Sequence, residues 1–215
     1  MTHHFRTDRP SAPARLDPAR LDDEEEDKKP DTAFMPKLVE EKLFDRRFVL
    51  ITGGVDDKLA QATCARLLAL AAHSAEPINV LISSPGGHVE SGDMIHDMIK
   101  FVDVPVRTIG SGWVASAGAL IFVAAQKENR FCLPNTRFLL HQPSGGMGGS
   151  AADVKIQAEQ IIAMRARLNR IFAEATGQPF ERVEKDTDRD YWMTPQEAMD
   201  YGLLGAVITS MTQLA

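Results

Sequence analysis

From Leu38 onward the chain alternates between two kinds of segment, and that alternation limits the folds open to it. FVLIT at 48–52, INVLI at 78–82 and VPVRTIG at 104–110 are short apolar runs rich in β-branched residues. Runs of this kind read as strands buried in a sheet. Between them lie segments with helical spacing. Ala60, Cys64, Leu67, Leu68 and Ala71 recur at helical intervals within 59–73, as do Met94, Ile95, Met98, Ile99 and Val102 within 92–102. Further on, ASAGALIFVAA reads as a buried helix, RFCL and RFLLH as strands, and 151–175 as a long amphipathic helix stopped by Gly177. PQEAMDYGL reads as a short helix with Thr194 as its N-cap, and AVIT as a closing strand. The alternation predicts an α/β domain with a largely parallel sheet covered on both faces.

Residues 1–36 differ in kind. THHFRTDRPSAPARLDPAR is polar and proline-bearing, and LDDEEEDKKPD is a charge run. Neither offers enough apolar surface to offset the entropy of ordering it. The expectation is a disordered tail at 1–36 and one folded domain over 37–215. His3 and His4 make at most a weak metal site. The 44% hydrophobic and 25% charged composition is that of a globular protein with a real core. No membrane span or signal peptide is read, and a cytoplasmic protein is the simplest inference. A net charge of -6 disfavours nucleic acid as a partner. Cys64 and Cys132 stand far apart in apolar surroundings and read as reduced core residues.

In open parallel sheets, ligand chemistry gathers beyond the carboxyl ends of the strands. Three segments fit that description: SPGG after the strand at 78–82, SGWVASAGA after 106–109, and HQPSGGMGGS after 137–141. They bring glycine-rich backbone, a crowded serine and a histidine. Ser116, boxed in by Ala115, Ala117, Gly118 and Ala119, reads either as the cap of the following helix or as a nucleophile. His141 is the first candidate base. His73 and His88 are alternatives, while His96 is placed on a solvated helix face. EKDTDRDYW offers Asp186, Asp188 and Asp190 as orienting carboxylates, and spacing alone does not choose among them. Acyl transfer also needs N–H donors aimed at a developing oxyanion. The Pro85-Gly86-Gly87 turn and the N–H of Ala117 are able to supply them. GxSxG is absent, which disfavours an α/β-hydrolase, and neither a Walker A nor a GxGxxG motif is present.

Taken in order, SPGG, GWVASAGA, RFCLPNTRFLLHQP and EKDTDRDYWMTPQEAMDYGL resemble the proteolytic subunit of the ATP-dependent Clp protease, over about Leu43 to Thr209. The resemblance implies Ser116 as nucleophile, His141 as general base, Asp190 as orienting carboxylate, and Gly87 and Ala117 as the oxyanion hole. It implies a crotonase-like α/β domain in two stacked heptameric rings, acting on polypeptides, with no cofactor. The helix at 151–175 then resembles the protruding handle between rings, and SGGMGGS its loop. Arg189 matches a position that pairs across rings. Phe101, Ile109, Phe131 and Leu133 fit the pocket that docks a partner Clp ATPase. Asn79, Leu81 and Ser111 stand where larger apolar or aromatic residues are usual, so docking is expected to be weakened or altered. Only AFMPKLVEEKLFDRR precedes the first strand, where the family carries a pore segment. Two other classes stay open at this point: a catalytically silent ring subunit, and a crotonase-like acyl-CoA enzyme.

Overall fold

The computed structural model describes residues 37–146 and 148–214. The expected tail, with His3 and His4, lies outside the described residues. Seven strands form one sheet: β1 (Phe48–Thr52), β2 (Ile78–Ser84), β3 (Val106–Ala115), β4 (Arg130–Cys132), β5 (Arg137–Leu140), β6 (Tyr191–Met193) and β7 (Ala206–Val207). The main order is β1-β2-β3-β4-β7, all parallel, with β5 pairing parallel to the far half of β3. β6 pairs antiparallel to β5. Among the described residues, seven α-helices accompany them: α1 (Lys37–Asp45), α2 (Asp57–His73), α3 (Val89–Phe101), α4 (Ala117–Phe122), α5 (Ala151–Thr176), α6 (Phe180–Asp186) and α7 (Pro195–Tyr201). No described helix is long and apolar enough to cross a membrane.

The sheet is not covered on both faces as the alternation predicts. Burial along β2 alternates residue by residue, with Ile78, Val80 and Ile82 inside and Asn79 and Leu81 half-buried on the other face. Since successive side chains point to opposite faces, helices cover one face and leave the other partly open. The core joins that covered face to α2, α3 and α4 through Leu67, Leu70, Ile95, Leu120 and Phe122. Two helical faces read from spacing are slightly misplaced. Leu68 and Met94 are exposed, and Thr63 and Leu70 fill the inward stripe of α2 instead. His96, expected in solvent, is buried at 5% exposure. It lies next to Ile95 and one turn before Ile99, and only its Asp97 contact (Nδ1 to Oδ1, 3.0 Å) reaches outward.

The helix ends are satisfied by identifiable groups. Thr194 and Glu197 form a capping box on α7, and Ser150 and Asp153 form another on α5. Gly177 ends α5 in a left-handed conformation. Two buried arginines donate to carbonyls at helix C-termini. Arg47 donates to Leu70 O at 2.9 Å and to Ser74 O at 3.2 Å, and Arg130 donates to Ala175 O at 2.7 Å. Burial pulls the Arg130 guanidinium down to about 10, which still leaves it charged at neutral pH. α5 buries side chains only from Leu168 onward, while Ile156 and Ile162 are exposed. Its first half therefore stands clear of the domain.

Cys64 and Cys132 are buried thiols, unpaired with each other. Burial raises both, Cys132 to about 11. At pH 8 about one Cys132 in a thousand is then thiolate, the reactive form. Iodoacetamide at pH 8 is expected to leave the native chain unmodified and to alkylate two cysteines after denaturation. Mass spectrometry of the intact chain reads both outcomes.

Candidate active site

The site begins with the way β3 ends. The strand runs to Ala115, further than the apolar run alone indicates, so Ser111 to Ala115 are strand and not loop. Ser116 then turns the chain into α4 with φ 54° and ψ -120°. A positive φ at a residue with a side chain is costly, of the order of 1–3 kcal/mol, and persists only where the surroundings enforce it. Here the Ser116 N–H donates to Leu139 O of β5 at 3.0 Å, and Ala119 and Leu120 N–H bond back to Ser116 O. Ser116 occupies the N-cap position of α4, yet its side chain makes no capping hydrogen bond. The capping reading is therefore set aside, and the hydroxyl is left for other work.

The glycine turn after β2 lies directly against this serine. Gly86 has φ +96°, and a Cβ there would stand 2.6 Å from Ser116 Cβ and 2.9 Å from Ala115 O. No side chain fits. One residue on, Val55 bridges Gly87 in parallel fashion, with Val55 N–H to Gly86 O at 2.9 Å and His88 N–H to Val55 O at 2.8 Å. In a parallel bridge the flanking residues make the bonds, so the central residue turns its own N–H to the opposite side. Val55 follows β1, Gly87 follows β2 and Ser116 follows β3. The Gly87 N–H therefore faces the β3 side, where Ser116 stands. Ala117, the first residue of α4, has an N–H without an intrahelical acceptor.

The histidine and the aspartate come from the antiparallel pair. Leu140 opposes Tyr191 in the β5–β6 register, which sets His141 opposite Asp190 one step further on. His141 Nδ1 and Asp190 Oδ1 are 2.9 Å apart. The other two aspartates are engaged elsewhere. Asp188 accepts from Arg165 at 3.3 Å and from Gln142 at 3.4 Å, and Asp186 accepts the Tyr201 hydroxyl at 3.0 Å. Burial, then the Asp186 contact, raises the Tyr201 phenol, so that bond keeps its proton on tyrosine. Ser116 and His141 line one small cavity, with no hydrogen bond between them, and Val89, Ala117, Leu120, Pro143, Leu168 and Phe172 complete its walls. Sequence reasoning took Leu168 and Phe172 only as a helix face. Their four-residue spacing on α5 is the one signal that pairs them. Arg189 lies beside Asp190 at the rim of the neighbouring cleft.

The alternative histidines are not brought here. The His73 ring sits edge-on to Phe44, with centroids 5.4 Å apart. His88 Nδ1 lies 2.8 Å from Ser91 Oγ and 3.2 Å from Asp57 Oδ1. That second Ser/His/Asp grouping differs in chemistry. Ser91 is buried at 3% exposure and gives its proton to Asp57 at 2.6 Å, a bond that holds the Asp57 carboxyl below its ordinary range. No substrate carbonyl reaches Ser91, and its hydroxyl is already committed. Of the residues read as a docking pocket, Ile109, Phe131, Leu133 and Leu81 pack together, whereas Phe101 is 72% exposed on the end of α3. The two faces are not joined within one chain.

A half-buried serine on a strained strand-to-helix turn, glycine backbone against it, and a hydrogen-bonded His–Asp pair across one cavity define the class of a serine hydrolase. Residues 35–211 match the Clp protease family. The ATP-dependent Clp protease proteolytic subunit of Paracoccus denitrificans is 70% identical over 169 residues, covering 79% of this chain and 85% of the relative. The ATP-dependent Clp protease proteolytic subunit 3 of Rhizobium etli is 57% identical over 194 residues, covering 90% and 100%. Among solved structures, ClpP1 from Listeria monocytogenes aligns with a TM-score of 0.75 at 50% identity, over 82% of this chain and 99% of that one. The chain belongs to the Clp protease family, as a proteolytic subunit with the fold of its solved relatives.

The contact between Gly86 and Ser116 is open to a direct test. Gly86→Ala is expected to slow fluorophosphonate labelling of Ser116 by about 10²-fold or more, because the added methyl displaces the serine turn. Gly53 has a similar φ of +80° with open space around its Cβ position. Gly53→Ala should cost about 1 kcal/mol in a thermal or urea melt and leave labelling intact.

Proposed function

We propose that Ser116, His141 and Asp190 are the catalytic triad with which this Clp-family serine peptidase cleaves polypeptides. The observation that carries the reading is the His141–Asp190 pair at 2.9 Å, set by strand register beside the cavity that holds Ser116. In the acylation step, Ser116 Oγ bonds to the scissile carbonyl carbon and His141 Nε2 takes the hydroxyl proton. Asp190 holds the ring through Nδ1 and stabilises the imidazolium. The carbonyl oxygen becomes an oxyanion, received by the N–H groups of Gly87 and Ala117. When the C–N bond breaks, His141 returns the proton to the leaving amine. Water, deprotonated by the same ring, then hydrolyses the acyl-enzyme and regenerates Ser116. Val89, Leu120, Leu168 and Phe172 favour an apolar side chain next to the cleaved bond.

The wider reading follows the family. Residues 37–215 carry the peptidase, and residues 1–36 lie outside it. Copies of the chain assemble into two stacked heptameric rings, with the clear half of α5 as the handle between them and Arg189 pairing across it. A Clp ATPase delivers polypeptides to the chamber, in the cytoplasm. Asn79 and Ser111 in place of apolar anchors weaken that docking, each by about 2 kcal/mol, or roughly thirtyfold.

Ser116→Ala is expected to lower hydrolysis of a short fluorogenic peptide by about 10⁴-fold and to abolish fluorophosphonate labelling, with ring mass unchanged in analytical ultracentrifugation. Asp190→Asn should lose about as much rate, because the histidine then adopts the wrong tautomer, while Asp188→Asn retains most of it. Full activity in Asp190→Asn would remove Asp190 from the triad. Unchanged labelling in Ser116→Ala would move the nucleophile elsewhere.

A further inference from the structure

The cavity beside Ser116 is small, with an open volume of about 20 Å³, enough for one water-sized group. Its apolar walls belong to three helices: Val89 on α3, Ala117 and Leu120 on α4, and Leu168 and Phe172 on α5. How large a side chain it takes therefore depends on how far those helices stand apart. Two of the three are fixed to each other. Gly92 of α3 lies so near α4 that a Cβ there would stand 3.1 Å from Ala117 Cβ and 3.5 Å from Leu120 Cδ2. α4 in turn is held by the turn at Ser116 and by the bond from Thr108 to Phe122 O. α5 is the wall with freedom to move. It buries side chains only from Leu168 onward, so it joins the domain at the cavity itself.

One contact ties that wall to α3. Arg167, the residue before Leu168, donates through Nη1 to Asp93 Oδ1 and through Nη2 to Asp93 Oδ2, both at 2.6 Å. Asp93 stands one turn after Val89 and next to Gly92. The pair therefore joins two walls beside the very residues that line the cavity, while neither of its own side chains lines it. Two parallel bonds to a planar guanidinium fix separation and angle together, which a single bond does not. The other ion pair at this point of α5, Arg165 to Asp188, has one bond of 3.3 Å and reaches the loop before β6. The Asp93 side chain is 19% exposed, so water competes little for its oxygens. Its contact also raises the Arg167 guanidinium above its ordinary value, and the cation persists at any working pH.

We propose that Asp93 and Arg167 are positioning residues for specificity: their paired bonds form a strut that holds α5 close to α3 and limits the size of the side chain the cavity accepts. Neither touches the substrate. With the strut released, α5 retreats from α3, and a larger side chain enters between Val89, Leu168 and Phe172. The proposal rests on the reading that this cavity receives the side chain next to the bond cleaved by Ser116. One arm of its test needs no hydrolysis, so the two readings fail separately.

Matched fluorogenic peptides that differ only in phenylalanine or alanine before the cleaved bond give a ratio of kcat/KM, phenylalanine over alanine. Asp93→Asn and Arg167→Gln are each expected to raise that ratio about tenfold or more, chiefly through a lower KM for the phenylalanine peptide. The double variant should match the singles within about twofold, because either change breaks the same strut. A purely structural role would lower both rates together and leave the ratio in place. In the second arm the chain carries Ser116→Ala, and isothermal titration calorimetry follows binding of acetylated tripeptides ending in phenylalanine or alanine. Adding Asp93→Asn should shift their relative affinity toward phenylalanine by a similar factor. Hydrolysis that persists in Ser116→Ala would remove the triad and leave this arm standing. If a single variant melts early, Arg167→Lys keeps the charge without the fork and should still raise the ratio, by less. An unmoved ratio in variants with intact circular dichroism, or effects that multiply in the double variant, would overturn the proposal.

Discussion

Two backbones meet at Gly86 and Ser116, and most of the site follows from how closely they approach. The approach needs a position without a Cβ on one side and a strained φ on the other. That strain is held in place by its surroundings. Ala117 to Phe122 are buried without exception, Thr108 Oγ1 bonds Phe122 O at 2.9 Å, and the Phe122 ring packs edge-on against Phe138. A well-packed core resists small displacements, so relaxing Ser116 means moving α4 and β5 as well. The small residues in SGWVASAGA are thus explained twice, by helix packing against the sheet and by the space a carbonyl needs.

The rest of the site depends on a strand that gives little sign of itself. β6 is only Tyr191–Met193, yet its antiparallel register on β5 is what sets Asp190 against His141. Two hydrogen bonds and one ion pair fix the connection that precedes it. Gln142 N–H bonds Thr187 O at 2.7 Å, its side chain bonds Asp188 O at 2.7 Å, and Arg165 reaches Asp188 from α5. One of the three aspartates is therefore structural, one is held by a tyrosine, and one is left for the histidine. A single-residue slip of β6 would exchange the faces of Asp190 and Tyr191 and dissolve the pair.

This explains what was legible in the sequence. The strands β1 and β2, the first half of β3, the helices α2, α3 and α5, and the caps at Thr194 and Gly177 follow from periodicity and local capping chemistry, and they appear close to where those signals place them. The three segments holding Gly87, Ser116 and His141 follow from the rule that parallel strands point their carboxyl ends at a ligand. Asp190 is different. EKDTDRDYW has no period, and the choice among its carboxylates is made by partners 15 to 49 residues away in the chain, which local patterns do not encode. The half-open sheet is illegible for a related reason. An apolar run such as INVLI reads alike with one face covered or two, and the alternation shows only in the burial of Asn79 and Leu81. His96 is misplaced by a sequence reading because its flanking aspartates dominate it, whereas the side chain itself is buried.

β3 carries both the open-face apolar row and the serine turn, at different points along its length and on different structural terms. Ile109 lies in the open-face row, and seven residues later Ser116 turns into the site. Between them the β2–β3 pairing shifts register, between Ile82 and Ser84, and Gly112 has a positive φ. An irregularity of this kind re-aims the strand, so the part in the apolar row and the part that presents the serine are separately adjusted. The chemistry at one end rests on buried backbone contacts that tolerate no added methyl. The row at the other end rests on one buried and two half-buried side chains, Ile109 between Leu81 and Phe131, under a four-residue turn. Asn79 and Ser111 lie outside the core that holds Ser116, so a change at either position does not pass through the packing that strains the serine turn.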